Sequence, residues 1–239
     1  MLYFLEEIMA GKLWRSLSAF ERGLWTVSVI VVSVSFAVSW LLTGQFDILT
    51  LIDSLIGVTA LIFVAKGQVI GQVLTVVFAV FYGIISYYFA YYGEMITYLC
   101  MTAPIAAASV VSWIKHPYDD GSEVAVGKLS ALNKMILTVS AAAVTVLFYF
   151  ILGALGNANL LISTVSITTS YVASYLTLFR SPFYAVAYSL NDIVLIVLWT
   201  LASMTNIAYV PMIFCFIAFF ANDLYGFVNW RRMKKRQIS

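Results

Sequence analysis

The stretch MILTVSAAAVTVLFYFILGALGNANLLISTVSITTSYVASYLTLF, Met135–Phe179, runs for 45 residues without a charged side chain. About 20 helical residues cross the ~30 Å hydrocarbon core of a bilayer, so this run is too long for one crossing and suits two. At its middle, Gly153-Ala-Leu-Gly156-Asn157-Ala-Asn159 carries the turn-forming residues that divide it. Two consecutive spanning helices follow, and the rest of the chain reads in the same way.

Upstream, Gly23 to Phe46 is a first uncharged span, preceded by an amphipathic segment with Lys12, Arg15 and Arg22. About Ile48 to Ala65 forms a second, with Asp53 near its start; Gly67 to Gly93 forms a third, ending in a tyrosine-rich stretch that includes Tyr91 and Tyr92 and suits an interfacial belt. Met95 to Ile114 returns, and a polar loop holding His116, Asp119, Asp120, Glu123 and Lys128 leads into Met135. Downstream of Arg180-Ser181-Pro182, a seventh span reaches about Ser203 and an eighth runs from about Ile207 to Trp230. The composition agrees: 63% of residues are hydrophobic and 10% charged, against roughly 45–50% and 25% in soluble domains. With 239 residues largely consumed by spans, no separate soluble domain is expected.

Alternating the eight spans across a membrane puts all 13 Lys and Arg residues on one side, with Asp47, Asp53 and Glu94 on the other. By the positive-inside rule, both termini are expected in the cytoplasm. The segment Met1 to Glu7 is acidic and lacks a cleavage pattern, so no removable signal peptide is expected. A net charge of +2 scattered over loops gives no basis for nucleic-acid binding. Cys100 and Cys215 both lie in apolar stretches and read as small packing residues.

Residues 48 to 114 and 159 to 230 each comprise three helices with matching punctuation. Lys66 and Arg180 mark the first turns, Cys100 and Cys215 lie in the third helices, and Trp113 and Trp230 close them, at offsets of 114, 115 and 117 residues. Three crossings reverse direction, so one linking helix is needed for the second copy to start from the same side. The expected fold is all-α and polytopic, with parallel triplets in a 3+1+3 plan and an extra N-terminal helix. The segments divide at 1–46, 47–115, 116–156, 157–230 and a basic tail 231–239.

The stretch Asn222-Asp223-Leu224-Tyr225-Gly226-Phe227-Val228-Asn229-Trp230 resembles the Asn followed by Tyr-Gly-x-x-x-Trp that ends a triplet in the PnuC vitamin B3 transporters. Tyr82-Gly83-Ile84-Ile85 and Tyr92-Gly93-Glu94 are similar to that family as well, and the resemblance covers roughly residues 48 to 230. In the first triplet Ala108-Ser109 stands where a Tyr-Gly pair would precede Trp113. The resemblance implies a plan shared with SWEET sugar transporters and uptake of nicotinamide riboside by facilitated diffusion with alternating access. It also implies a homotrimer with one path per protomer, and a separate cytosolic nicotinamide riboside kinase that traps the substrate.

Asn191-Asp192 and Asn222-Asp223 lie well inside the seventh and eighth spans, where ionisable groups are costly and signal a functional or water-lined site. Interhelical hydrogen bonding is the competing reading. Tyr184, Tyr188 and Asn191 share a helix face, with Trp199 two turns on. Aromatic faces attract a cationic pyridinium ring, and amides and carboxylates suit its carboxamide and ribose. Gln68, Gln72 and Thr75 on the third span, and Tyr98 and Thr102 on the fourth, could face the path from the first triplet. The expected substrate-binding set is therefore Asn191, Asn222, Asp192, Asp223, Tyr184, Tyr188, Trp199, Gln72, Tyr98 and Thr102. Ser163, Ser166, Ser170 and Ser174 form a stripe on the sixth span that reads as helix packing.

No enzyme is expected, and no cofactor or metal. The sole histidine, His116, has no second ligand nearby, and the stretch from Gly121 to Leu129 misses the phosphate-loop spacing and its Ser or Thr. A SWEET-like sugar or other nucleoside carrier is the alternative within the transporter class. A membrane scaffold or receptor subunit would not need the four polar residues at mid-depth.

Overall fold

The computed structural model describes residues 12–88, 92–119, 123–157 and 159–238. Tyr91, Asp120 and the side chain of Tyr92 lie outside the described set. A short helix α1 (Lys12–Ser16) leads into α2 (Ala19–Thr43), α3 (Ile48–Ala65) and α4 (Val69–Tyr88). Helix α5 is composite: Tyr92–Ile96, a π-helical stretch Thr97–Thr102, then Ala103–Ile114. A two-stranded ribbon, β1 (Pro117–Tyr118) and β2 (Glu123–Val124), precedes α6 (Ala131–Ala154), α7 (Leu160–Leu178), α8 (Tyr184–Ser203) and α9 (Val210–Arg236). Among the described residues, eight helices are long and apolar enough to cross a membrane.

Two boundaries differ from expectation. A capping box, Ser18 with Glu21, starts α2 before Gly23, because satisfying two of the first free N–H groups lets the helix begin inside the charged segment. Helix α9 runs past Trp230 to Arg236, so most of the expected tail is helical, its cations sitting at the helix C-terminus where the macrodipole favours them.

Six helices close a ring in chain order: α3, α4, α5, α7, α8 and α9, with α9 packing back on α3. The remaining two cover its seams. Helix α2 packs on both α9 and α3. Helix α6 packs on α7 and, through Phe148 and Leu152, joins a cluster with Met101 of α5 and Ile167 of α7. Both seam helices start at a serine N-cap, Ser18 or Ser130, whose side chain accepts from the N–H three residues on. The helix read as an N-terminal extra therefore occupies the position that the linking helix occupies in the second half.

The turns carry the same signature. Gly67 N–H donates to Val64 O and Gln68 N–H to Phe63 O; Arg180 N–H donates to Thr177 O and Ser181 N–H to Leu176 O. Both turn residues are left-handed, φ 73° for Gly67 and 55° for Arg180. The structural register thus pairs Arg180 with Gly67 rather than with Lys66. Each half closes on the other through a tryptophan: Trp113 Nε1 donates to Thr177 O at 3.1 Å and Trp230 Nε1 to Val64 O at 2.9 Å. The two indoles meet with centroids 5.4 Å apart, fully buried.

A strap crosses this end of the ring. Val124 N–H donates to Gly67 O and Gly127 N–H to Arg180 O, so one loop holds both turns. Arg180 reaches back to Ala125 O and Ser112 Oγ, while Gln237 and Arg236 of the C-terminal end bind Val126 N–H and Glu123. Lys66 pairs with Glu21 at 3.4 Å. The Lys66 and Arg180 turns, the start of α2 and the end of α9 therefore converge on one face.

Candidate functional site

The ring encloses a cavity of about 60 Å³ lined by α3, α4, α5, α7, α8 and α9. Small residues make the room: Gly57 and Ala60 of α3 face it, and a Cβ on Gly57 would run into the ring of Phe219. Seven of the ten expected residues line it: Gln72, Tyr98, Thr102, Tyr188, Asn191, Asp192 and Asp223. The expected Thr75 lines it too.

Asp192 and Asp223, from adjacent helices, are each 3% exposed and both line the cavity. One end of the Asn191 carboxamide is held by α7: Oδ1 accepts from Thr169 Oγ1 at 2.8 Å and Ser166 Oγ at 3.2 Å. The other end is left to the cavity. Ser174 Oγ lies 3.1 Å from Tyr188 Oη, and Ser170 lines the cavity. The serine stripe of α7, expected to serve helix packing, thus orients the polar residues of α8.

Tyr98 and Thr102 sit in the π-helical stretch. Pro104 follows it and lacks the N–H that would bond the carbonyl of Cys100, which favours the wider turn. Ala103 N–H instead reaches Tyr98 O, and the loosened register turns both side chains inward. Thr102 Oγ1 and Asp192 Oδ2 are buried with no protein partner among the described residues.

Three expected residues lie elsewhere. Asn222 Nδ2 donates to Ser28 Oγ at 3.0 Å and Ala218 O at 2.8 Å, so it faces the seam helix α2 and not the cavity. A one-residue step along a helix turns the side chain by about 100°, which separates Asn222 from its neighbour Asp223. Tyr184 is fully buried, packed edge-on against Trp230 at 5.0 Å, on the basic side of the cavity. Trp199 lines a different space, a vestibule of about 340 Å³. Gln68 is also outside the path, its Nε2 donating to Ser16 Oγ.

Vestibule and cavity stack along the same helix faces, one turn apart: Tyr82 and Phe78 on α4, Trp199 and Leu195 on α8, Met212 and Phe216 on α9. Between them Tyr82 packs on Tyr98 at 4.4 Å and on Phe78 at 5.7 Å, forming an aromatic layer. On the other side the Trp113–Trp230 pair and the strap close the ring. Asp53, read near the start of the second span and not singled out as a site residue, is 1% exposed within α3, and its Oδ1 has no protein partner among the described residues. Its spacing to Gly57 and Ala60 on one helix face was the available signal.

The family described as nicotinamide mononucleotide transporter matches residues 47–232. A nicotinamide riboside transporter PnuC of Neisseria mucosa is 28% identical over 185 residues, covering 75% of this chain and 70% of its own. Its namesake from Haemophilus influenzae is 24% identical over 234 residues, covering 97% and 96%. In fold, the chain is similar to the crystal structure of the vitamin B3 transporter PnuC, with a TM-score of 0.75 at 22% identity over 93% of this chain and 94% of that one. Spanning most of the chain, these likenesses accord with eight apolar helices around a polar cavity: the protein belongs to the nicotinamide mononucleotide transporter family, a family of membrane transporters and not of enzymes.

Proposed function

We propose that the chain takes up nicotinamide riboside through the central cavity by alternating access. The observation that carries this reading is the chemistry of the lining: a carboxyl pair, the amides of Asn191 and Gln72, the phenols of Tyr98 and Tyr188, and no Lys or Arg among the described lining residues. A pyridinium cation is attracted by carboxylates and aromatic faces, its carboxamide pairs with Asn191 or Gln72, and its ribose hydroxyls pair with Asp and Thr. A mononucleotide would bring a phosphate with no cation to meet it and two acids to repel it. The riboside is therefore favoured over the mononucleotide.

At about 60 Å³ the cavity lies well below the ~300 Å³ at which ligand pockets begin, so admitting a nucleoside requires a wall to move. The Phe78–Tyr82–Tyr98 layer would part on one side, and the Trp113–Trp230 pair with its strap on the other. Transport is facilitated diffusion, with a cytosolic nicotinamide riboside kinase trapping the product. The chain resides in a bacterial inner membrane with both termini cytoplasmic, the basic face being the cytoplasmic one. It works as a homotrimer with one path per protomer, the exposed apolar faces of α2 and α6 being available to lipid and to neighbouring copies. Calorimetric titration of the purified protein with nicotinamide riboside, nicotinamide mononucleotide and a hexose tests the substrate. The riboside should bind most tightly; hexose binding without riboside binding would overturn the assignment.

A further inference from the structure

The vestibule lies at the end of the ring opposite the basic turns, bounded by the α2–α3 loop (Gln45, Asp47) and the α8–α9 turn (Asn206, Tyr209). Unlike the central cavity, its volume of about 340 Å³ falls within the range of small-molecule sites, ~300–1,000 Å³. Its wall is completed by α2, outside the transport ring: Phe36 and Ser39 line it, and Ser39 Oγ reaches Ala208 O at 3.5 Å.

Three features make this more than a gap. Trp199 and Tyr209 meet edge to face, centroids 5.7 Å apart at 65°, and both line the space, as does Tyr82 on its floor. Asp47 is the only formally charged residue among the described lining. Its Oδ1 accepts from Thr50 N–H and its Oδ2 from Thr50 Oγ1, which orients the carboxylate and leaves each oxygen a further lone pair. Ser86, 3% exposed, lines the vestibule and makes no protein hydrogen bond among the described residues.

We propose that this vestibule is a second, outer binding site that captures a cationic, planar-ring nucleoside before it passes the aromatic layer. The ring lies against Trp199 and Tyr209, Asp47 balances its charge, and Ser86, Gln45 and Asn206 are at hand for sugar hydroxyls. Seam helix α2 thereby gains a role: it walls the entry site. The proposal rests on the reading of the central cavity as a riboside site, and its test separates the two.

The full chain in lipid nanodiscs is titrated with nicotinamide riboside by calorimetry, alongside Asn191→Ala, Asp47→Asn and Trp199→Ala. Asn caps a helix as well as Asp, so Asp47→Asn removes the charge while sparing the fold. Two binding steps are expected in the parent protein. Asn191→Ala should weaken one and keep the other, whereas Asp47→Asn and Trp199→Ala should each weaken the other by about threefold to tenfold, the range of a lost cation–aromatic or ion contact. In proteoliposomes the latter two should raise KM with kcat unchanged. A single binding step abolished by Asn191→Ala and untouched by both vestibule variants would overturn the outer site and leave the central one standing. No binding in the parent protein would overturn the central reading and this one with it.

Discussion

Replacing Asn191 by Ala removes the amide that α7 aims into the cavity. Thr169 Oγ1 and Ser166 Oγ hold one end of that amide at 2.8 and 3.2 Å, so the group is pre-oriented and its free end needs no ordering when substrate arrives. Losing one or two hydrogen bonds of about 0.5–1.5 kcal/mol each gives roughly 1–2 kcal/mol, or about 5- to 30-fold weaker binding of nicotinamide riboside. The fold should barely change: Thr169 Oγ1 already lies 2.9 Å from Val165 O and 3.0 Å from Ser166 O, so its hydroxyl keeps a partner. Calorimetric affinity measured beside the melting temperature in detergent reads both quantities. The matched control is Asn222→Ala, whose amide bonds Ser28 and Ala218; it should lower the melting temperature and leave affinity intact. Unchanged affinity in Asn191→Ala, or lost affinity only in Asn222→Ala, would refute the placement of the site.

Asp192→Asn and Asp223→Asn keep hydrogen-bonding capacity but remove charge, so each should weaken the cationic riboside by about tenfold while sparing neutral nicotinamide, measured by competition in uptake. Trp113→Phe and Trp230→Phe each remove a buried indole hydrogen bond, to Thr177 O or Val64 O, carbonyls that still accept from the turn N–H of Arg180 or Gly67; both should destabilise by about 0.5–1.5 kcal/mol, and closely matched losses in melting temperature would reflect the shared role. Arg180→Ala cuts the contacts to Ala125 O and Ser112 Oγ, so hydrogen exchange should speed up at the strap, residues 123–127, and not in α6; uniform protection there would show the strap holds without it.

The number of crossings and their common charged face were legible in sequence because both follow from local quantities. Span length is set by bilayer thickness, and Lys66, Arg180 and the terminal cations announce their turns without reference to packing. The intramembrane polar residues were legible for the same reason: Asp192 and Asp223 stand out against apolar neighbours whatever the tertiary arrangement. Which way each of them points was not. Asn222 and Asp223 are adjacent in sequence and equally conspicuous, yet helical rotation turns one to α2 and the other into the cavity. Trp199 shares a helix with Asn191 but lies two turns along it, beyond the aromatic layer.

The repeat divides in the same way. Matching turns and tryptophans were visible along the chain, but the role of the first long helix was not, since nothing in its residues names its neighbours. Only packing shows that α2 covers the α9–α3 seam while α6 covers the α5–α7 seam. By itself the sequence determined what each segment is made of, and so its solvent, length and direction. The tertiary structure decided which faces meet, and with them the cavity, the vestibule and the strap, because those depend on helix rotation and on contacts between residues more than a hundred positions apart.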